Sequence, residues 1–137
     1  MNNFNDWNKM IIDEFRANKG KVGGQFENMH LLLLNTIGAK SGRKRVNPVA
    51  YITDSDKYVI AASKAGADTN PDWFYNIIAH PELEVEVGDQ RVQVSAAIAS
   101  EPERTKLYGN MAQKYPGFAE YVDKTSRVIP VVILSQR

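Results

Sequence analysis

The sequence predicts a mainly β domain of the α+β class, built as a small antiparallel barrel with helices inserted between its hairpins. Two pairs of β-type segments are separated by short turns, at residues 54–56 and at Gly88 and Asp89. Most of the strand connections are too short for the crossovers that a parallel sheet requires. Apolar residues at spacings of three and four predict helices before, between and after the hairpins.

Composition indicates one globular domain over residues 1–137. Hydrophobic residues make up 43% of the chain, which suffices for a core at this length without cross-links. The 17 Lys and Arg residues nearly balance the 16 Asp and Glu residues, so no overall field attracts nucleic acid or a membrane. Because cysteine is absent, thiolate chemistry and Cys-ligated metals are excluded, and two isolated histidines make a poor metal site.

No segment resembles a signal peptide or a membrane-spanning helix, because the first ten residues are polar and the apolar runs are short. We therefore expect a cytoplasmic protein without stable membrane insertion. Peripheral association with a membrane stays open. A small-molecule substrate is expected rather than a nucleic-acid partner, and the oligomeric state is left open.

The predicted elements follow one another without linkers or repeats. An N-terminal helix is predicted within residues 1–20, a segment whose mobility stays open, by the spacing of Trp7, Met10, Ile11 and Phe15. Leu31–Leu34 predict a strand buried on both faces. The predicted strands cover 29–36, 46–53, 57–63, 83–87, 91–98 and 130–134. The later helices are predicted over 71–80, 100–115 and 118–122.

Acid–base and hydrolytic chemistry have little support in the sequence. Glu84 and Glu86 alternate with apolar residues, which predicts that both lie on the solvated face of a hairpin rather than forming an acid–base pair. Ser63 has no histidine nearby in sequence to activate it.

The densest charge lies in the basic loop, which we define as Gly38–Arg45. Four of its eight residues are cationic and none is acidic. Between two strands, glycines allow backbone N–H groups to turn toward an anion, and Lys and Arg supply charge-assisted hydrogen bonds that suit phosphate. The loop therefore predicts a phosphate site. The alternatives are a solvated turn, or a short nuclear-localisation or nucleic-acid-binding patch.

Two further clusters are candidates for a ligand site. Small residues in the segment 61–66 leave the end of a strand open to a flat ring, although an ordinary strand-to-loop transition has the same composition. Aromatic residues at Trp73, Tyr115, Phe118 and Tyr121 could line a pocket, or pack the core.

In this order and spacing, these motifs resemble the deazaflavin-dependent nitroreductase family over most of the chain. The matching residues are Thr36, Gly38, Lys40, Ser41, Gly42, Arg45, Pro48, Ala62, Ser63, Lys64, Gly66, Pro71, Asp72, Trp73 and Asn76, preceded by Glu14, Phe15, Arg16, Asn18, Gly20, Gly23 and Gly24. The resemblance implies a split β-barrel like that of FMN-binding proteins, which binds the reduced 8-hydroxy-5-deazaflavin coenzyme, coenzyme F-420.

The resemblance also implies roles for individual residues. The phosphate and oligoglutamate tail of the coenzyme would be bordered by Lys40, Ser41, Arg45 and Pro48. The ring and the rest of the cofactor site would be bordered by Ala61, Ser63, Lys64, Gly66, Trp73 and Asn76. The substrate pocket would be lined by Tyr115, Phe118 and Tyr121.

The implied activity is hydride transfer from the reduced deazaflavin to a planar, electron-poor acceptor, such as a quinone, a nitro compound or a conjugated enone. Ser63 or Tyr115 is expected to act catalytically, by a hydrogen bond to the acceptor oxygen or by proton delivery. FMN in the same fold is one alternative. A non-catalytic module that binds an anion or nucleic acid is another.

Overall fold

The computed structural model describes residues 3–24 and 29–137, with side chains from residue 8 onward. The helices are α1 (Asn3–Ala17), α2 (Asp72–Ala79), α3 (Glu103–Lys114) and α4 (Gly117–Lys124). The strands are β1 (Leu31–Ile37), β2 (Lys44–Ala50), β3 (Ile52–Asp54), β4 (Lys57–Ala61), β5 (Glu82–Val87), β6 (Gln90–Ile98) and β7 (Val131–Gln136).

These seven strands form one antiparallel sheet in the order β2-β1-β5-β6-β7-β4-β3. The two edge strands, β2 and β3, follow each other in the chain and meet at Tyr51. There the N–H of Tyr51 donates to the carbonyl of His30 at 3.0 Å. Because consecutive strands occupy opposite edges, the sheet must curl until those edges meet. The predicted α+β split barrel is confirmed.

The prediction of one continuous strand over residues 46–53 is wrong. β2 pairs with β1 up to Ala50 opposite Leu31, whereas β3 pairs with β4 from Ile52 opposite Val59. The segment changes partner at Tyr51, because the barrel turns a corner there. An alternating pattern reports which face a residue occupies, and it carries no information on the neighbouring strand.

The buried strand β1 separates two parts of the core. Leu32 and Leu34 lie in the barrel interior, whereas Leu31 and Leu33 pack against α1. All four are at most 6% exposed, as predicted, and full burial of such a side chain contributes roughly 1.5–3 kcal/mol. A third cluster lies beneath α3 and α4.

Two contacts fasten the end of α1 to the β5–β6 hairpin. Arg16 donates two hydrogen bonds to the Glu86 carboxylate, at 3.0 and 2.8 Å, and Asn35 adds a third at 3.0 Å. A Cβ on Gly20, which has φ +96°, would lie 2.7 Å from the Cα of Gly88. Only glycine permits that close approach.

Two predictions about solvent exposure are corrected. Glu86 is buried rather than solvated, because its ion pair with Arg16 compensates the loss of water. Met10, predicted on the apolar face of α1, is 70% exposed, whereas Ile11 and Phe15 are buried. Residues 1–2 and the side chain of Trp7 lie outside the described residues.

Candidate active site

The basic loop closes the turn between β1 and β2 with internal hydrogen bonds. The N–H of Gly38 donates to the Arg43 carbonyl at 2.8 Å, and the N–H of Gly42 donates to the Gly38 carbonyl at 2.9 Å. The Ser41 hydroxyl accepts from the N–H of Arg43 at 3.2 Å. A Cβ on Gly38 would collide with that hydroxyl oxygen, so a larger residue here would displace the Ser41 side chain from its bond to Arg43.

The charged side chains of this loop point into solvent. Lys40, Arg43, Lys44 and Arg45 are all exposed. None of them takes part in the ion pairs found among residues 3–24 and 29–137. Positive charge that is not neutralised by the protein favours an anion such as a phosphate or a carboxylate.

Asn76 on α2 holds the basic loop in place. Its side chain is buried, its Oδ1 accepts from the N–H of Ala39 at 2.9 Å, and its Nδ2 donates to the Thr36 hydroxyl at 3.2 Å. Both ends of the amide are thus engaged inside the protein. Asn76, predicted to border the cofactor ring, joins the loop to the helix that packs on β1.

The end of β4 lies between two parts of the core. Ala61 contributes to the cluster beneath α3 and α4, and the next residue, Ala62, contributes to the barrel interior together with Trp73. Successive side chains of a strand point to opposite faces, which explains this division. Trp73 is 6% exposed, so most of its indole ring is core. Pro48 is half-buried on β2, opposite Leu33.

The segment after β4, which we call the 62–70 loop, contains three consecutive left-handed residues. Lys64, Ala65 and Gly66 have φ values of +47°, +53° and +85°. A Cβ on Gly66 would lie 2.9 Å from the Cβ of Lys124, so the loop abuts α4 closely. Ser63 begins the turn and is 8% exposed.

The three aromatic residues predicted for the substrate pocket lie together. The ring of Phe118 is 6.0 Å from that of Tyr115 and 5.4 Å from that of Tyr121, centre to centre. Tyr108 donates to the carbonyl of Phe118 at 2.6 Å, and burial raises the pKa of Tyr108 to about 12. Tyr121 is half-buried, and the backbone of Tyr121 lies near Gly66.

Tyr115 fastens the corner of the barrel. Its hydroxyl donates to the Tyr51 carbonyl at 2.8 Å and accepts from the N–H of His30 at 3.1 Å. Burial raises the pKa of Tyr115, although the hydrogen bond from His30 opposes the shift. The hydroxyl is therefore engaged by two backbone groups in this structure. The catalytic role of Tyr115 stays a prediction, as does that of Ser63.

The predicted site residues fall into two groups. Asn76 joins the basic loop, with Lys40, Ser41 and Arg45, to α2. Ala61 and Gly66 contact the aromatic residues of α3 and α4. Within the described residues no side-chain hydrogen bond links the groups, which are connected by the chain from Ser63 to Asn76.

Sequence reasoning did not identify Arg127, which lies between α4 and β7 and binds the 62–70 loop. Its guanidinium donates to Ala67, Asn70, Ala62 and Ser63. The separation in sequence is about 60 residues, and a lone arginine carries no local pattern that would reveal such contacts.

One cavity of about 620 Å³ lies beside the end of α1 and is lined in part by Glu14, Lys21, His30 and Tyr51. None of the predicted ligand residues lines it. In the described part of the chain, no three His, Asp or Glu side chains gather as a metal site would require. None of the described helices is long and apolar enough to cross a membrane.

A split barrel that carries a cationic loop without ion-pair partners among the described residues, and a separate cluster of aromatic residues, fits an oxidoreductase that binds a flavin or a deazaflavin. The model of the family described as F420H(2)-dependent quinone reductase matches residues 7–136. The chain belongs to that family, whose name denotes an oxidoreductase that uses reduced coenzyme F-420. The resemblance seen in the sequence, with its coenzyme, is confirmed.

Relatives and solved structures agree with this placement. An F420H(2)-dependent quinone reductase of Mycobacterium tuberculosis is 35% identical over 130 residues, which span 90% of this chain and 85% of that protein. A solved F420-H2 dependent reductase is 37% identical with a TM-score of 0.70, covering 77% of this chain and 93% of its own. A structure described as a domain-swapped dimer is 31% identical with a TM-score of 0.73, and the match covers 96% of this chain and 98% of that one.

Proposed function

We propose that this protein transfers a hydride from reduced coenzyme F-420 to a quinone. The observation that carries the proposal is the exposed basic loop, whose cations lack carboxylate partners among the described residues and which Asn76 holds against α2. The name of the matching family supports the coenzyme and the acceptor. When bound, the coenzyme supplies the hydride.

In this proposal the basic loop binds the anionic tail of the coenzyme. Lys40 lies in the turn of the loop, whereas Arg45 lies at its end, on β2 opposite Thr36. They can therefore contact successive anionic groups rather than compete for one. Because the loop is closed by its own hydrogen bonds, little further ordering is needed when the tail binds.

The aromatic residues of α3 and α4 provide the acceptor site. A quinone is planar and largely apolar, and aromatic side chains favour stacked or edge-on contact with such a ring. Phe118 is buried and Tyr121 is half-buried, so Tyr121 lies nearer the solvent and is the residue we expect to contact the acceptor first. Nitro compounds and conjugated enones share the flat shape and are expected as poorer acceptors.

Ser63 is the residue we propose for polarising the acceptor. Its hydroxyl makes no hydrogen bond within residues 3–24 and 29–137, whereas the hydroxyl of Tyr115 makes two. An O–H group that is not otherwise engaged can stabilise the negative charge that develops on the acceptor oxygen as hydride arrives. Tyr115 then acts as a positioning residue at the barrel corner.

Anaerobic oxidation of reduced F-420 in the presence of menadione tests this function. The expected result is enzyme-dependent recovery of oxidised F-420 absorbance with one equivalent of quinol formed. A parallel assay with reduced FMN, a nitroarene and a conjugated enone ranks the alternatives. Turnover with FMN but none with F-420 would contradict the proposal, as would a nitroarene or enone reduced faster than the quinone.

A further inference from the structure

Arg127 contacts the 62–70 loop at four points. Its Nε donates to the Ala67 carbonyl at 2.8 Å and its Nη1 to Asn70 Oδ1 at 2.7 Å. Its Nη2 donates to the carbonyls of Ala62 and Ser63 at 3.1 and 2.9 Å. One planar guanidinium therefore holds both sides of the left-handed turn formed by residues 64–66.

This turn requires such support. Lys64 and Ala65 have positive φ angles, and a non-glycine residue in that region costs of order 1 kcal/mol or more unless the surroundings fix it. Within the described chain the turn has two backbone hydrogen bonds of its own, from Gly66 to Ser63 and from Ala67 to Lys64. Arg127 adds contacts from a distant part of the chain.

The contacts also fix the direction of backbone donors. In a trans peptide unit the carbonyl and the following N–H point in opposite directions. Since the carbonyls of Ala62 and Ser63 face Arg127, the N–H groups of Ser63 and Lys64 are turned away from it. Two consecutive N–H groups on one side of a turn suit a carbonyl oxygen that carries negative charge.

We propose that Arg127 is a positioning residue for the coenzyme site. It holds the 62–70 loop so that the N–H groups of Ser63 and Lys64 face a carbonyl edge of the deazaflavin ring. This inference rests on the proposed function. All four acceptors of Arg127 are neutral oxygen atoms, so its positive charge also lies behind the donors that face the ring.

The segment that carries Arg127 is itself braced. The Thr125 hydroxyl donates to Asp68 at 3.0 Å and accepts from the N–H of Arg127 at 3.2 Å. The segment between α4 and β7 is therefore hydrogen-bonded to the 62–70 loop through both Thr125 and Arg127. Arg127 is half-buried in this contact.

The test compares R127A and R127K with R104A in the full-length chain. Arg104 is also half-buried and donates to the carbonyl of Ile129 at 3.0 Å, but it braces α3 rather than the loop. We expect R127A to weaken F-420 binding, measured by fluorescence titration, about tenfold or more, while the KM for menadione at saturating coenzyme changes less than about twofold. R127K should fall between R127A and the wild type, because an ammonium cannot span four separated acceptors.

Two readouts are independent of turnover. Trypsin should cleave after Lys64 about tenfold faster in R127A, because the loop opens more often. Guanidinium ion at millimolar concentration should restore part of the F-420 affinity of R127A and none of that of R127K, whose side chain fills the space. R104A should match the wild type in both. If R127A fails to fold, R127K alone must show the weaker binding and the faster cleavage.

The inference is overturned if F-420 affinity and Lys64 cleavage in the folded variant stay within about twofold of the wild type. It is also overturned if R104A reproduces the effects of R127A, since the loss would then be one of general stability. A wild-type protein that does not bind F-420 would instead contradict the proposed function, whatever Arg127 does to the cleavage rate.

Discussion

The side-chain oxygen of Asn76 lies 2.9 Å from the backbone nitrogen of Ala39 and accepts its hydrogen bond. Through this contact a helix that follows the 62–70 loop fixes the loop that carries the cationic side chains. The buried amide of Asn76 thus joins the basic loop to α2, and its other end is bonded to Thr36 on β1. Replacement of that amide should loosen the basic loop without removing any of its charge.

We expect N76A to weaken F-420 binding and to lower the free energy of unfolding by about 1–3 kcal/mol, because it removes the partner of the buried Thr36 hydroxyl and of the partly buried N–H of Ala39. Urea unfolding and fluorescence titration measure the two effects. N110A, an exposed position on α3, is the matched control and should change neither. Wild-type affinity in folded N76A would show that the loop does not depend on this contact.

The Arg16–Glu86 ion pair should make stability depend on pH. The hydrogen bond from Arg16 lowers the pKa of Glu86 below its ordinary value. A group with a lowered folded-state pKa stabilises the fold above its unfolded pKa, about 4.3 for Glu, and loses that contribution as pH falls through the folded pKa. E86Q should therefore unfold more easily at pH 7, by about 1–3 kcal/mol, and the difference from wild type should shrink below pH ~4.

Glu84, two residues earlier on β5, provides the control for Glu86. It pairs with Arg91, whose side chain is 63% exposed, and exposed pairs contribute about 0–1 kcal/mol. E84Q should thus be nearly neutral in urea unfolding at pH 7. If E84Q and E86Q cost the same, or if the effect of E86Q grows as pH falls, the assigned role of the buried pair is wrong.

The hydroxyls of Tyr115 and Ser63 should differ in what they affect. Y115F removes the two hydrogen bonds that the Tyr115 hydroxyl makes to the backbones of Tyr51 and His30. We therefore expect the free energy of unfolding to fall by about 1–3 kcal/mol, with the pH dependence of kcat unchanged. S63A should lower kcat for menadione about a hundredfold with little change in unfolding. Stopped-flow single turnovers and urea unfolding separate the two.

Tyr108 is the control for Tyr115, because the Tyr108 hydroxyl also donates to a backbone carbonyl in the same cluster, that of Phe118. Y108F should resemble Y115F in stability and leave the chemical step intact. A kcat loss confined to Y115F, with a shifted pH profile, would instead favour Tyr115 as the proton donor.

Much of the fold was predictable because it is encoded locally. The four leucines of β1 and the turns at residues 54–56 and 88–89 carry their own patterns, and the structure has the strands and hairpins where those patterns lie. The burial of Glu86 was not predictable, because the alternating pattern of β5 contains no information about Arg16, 70 residues away. The same reason applies to the break at Tyr51, which reflects a change of strand partner.

The site was predictable in part for a comparable reason. The basic loop is contiguous, so its charge is visible in the sequence. Its attachment to Asn76 and the fourfold contact of Arg127 depend on residues 37 and about 60 positions away. The two hydrogen bonds between the Tyr115 hydroxyl and backbone groups could not be predicted either, because every residue has a backbone and its type does not indicate such a bond.

Titration of F-420 into the wild type and the double variant K40A/R45A measures how much the basic loop contributes to coenzyme binding. K57A/K106A removes the same charge from exposed positions elsewhere and is the control. We expect K40A/R45A to bind F-420 about tenfold or more weakly, the wild-type affinity to fall as salt increases, and the control to match the wild type. Equal affinity of K40A/R45A and wild type for F-420 at low salt would show that the basic loop does not bind the coenzyme.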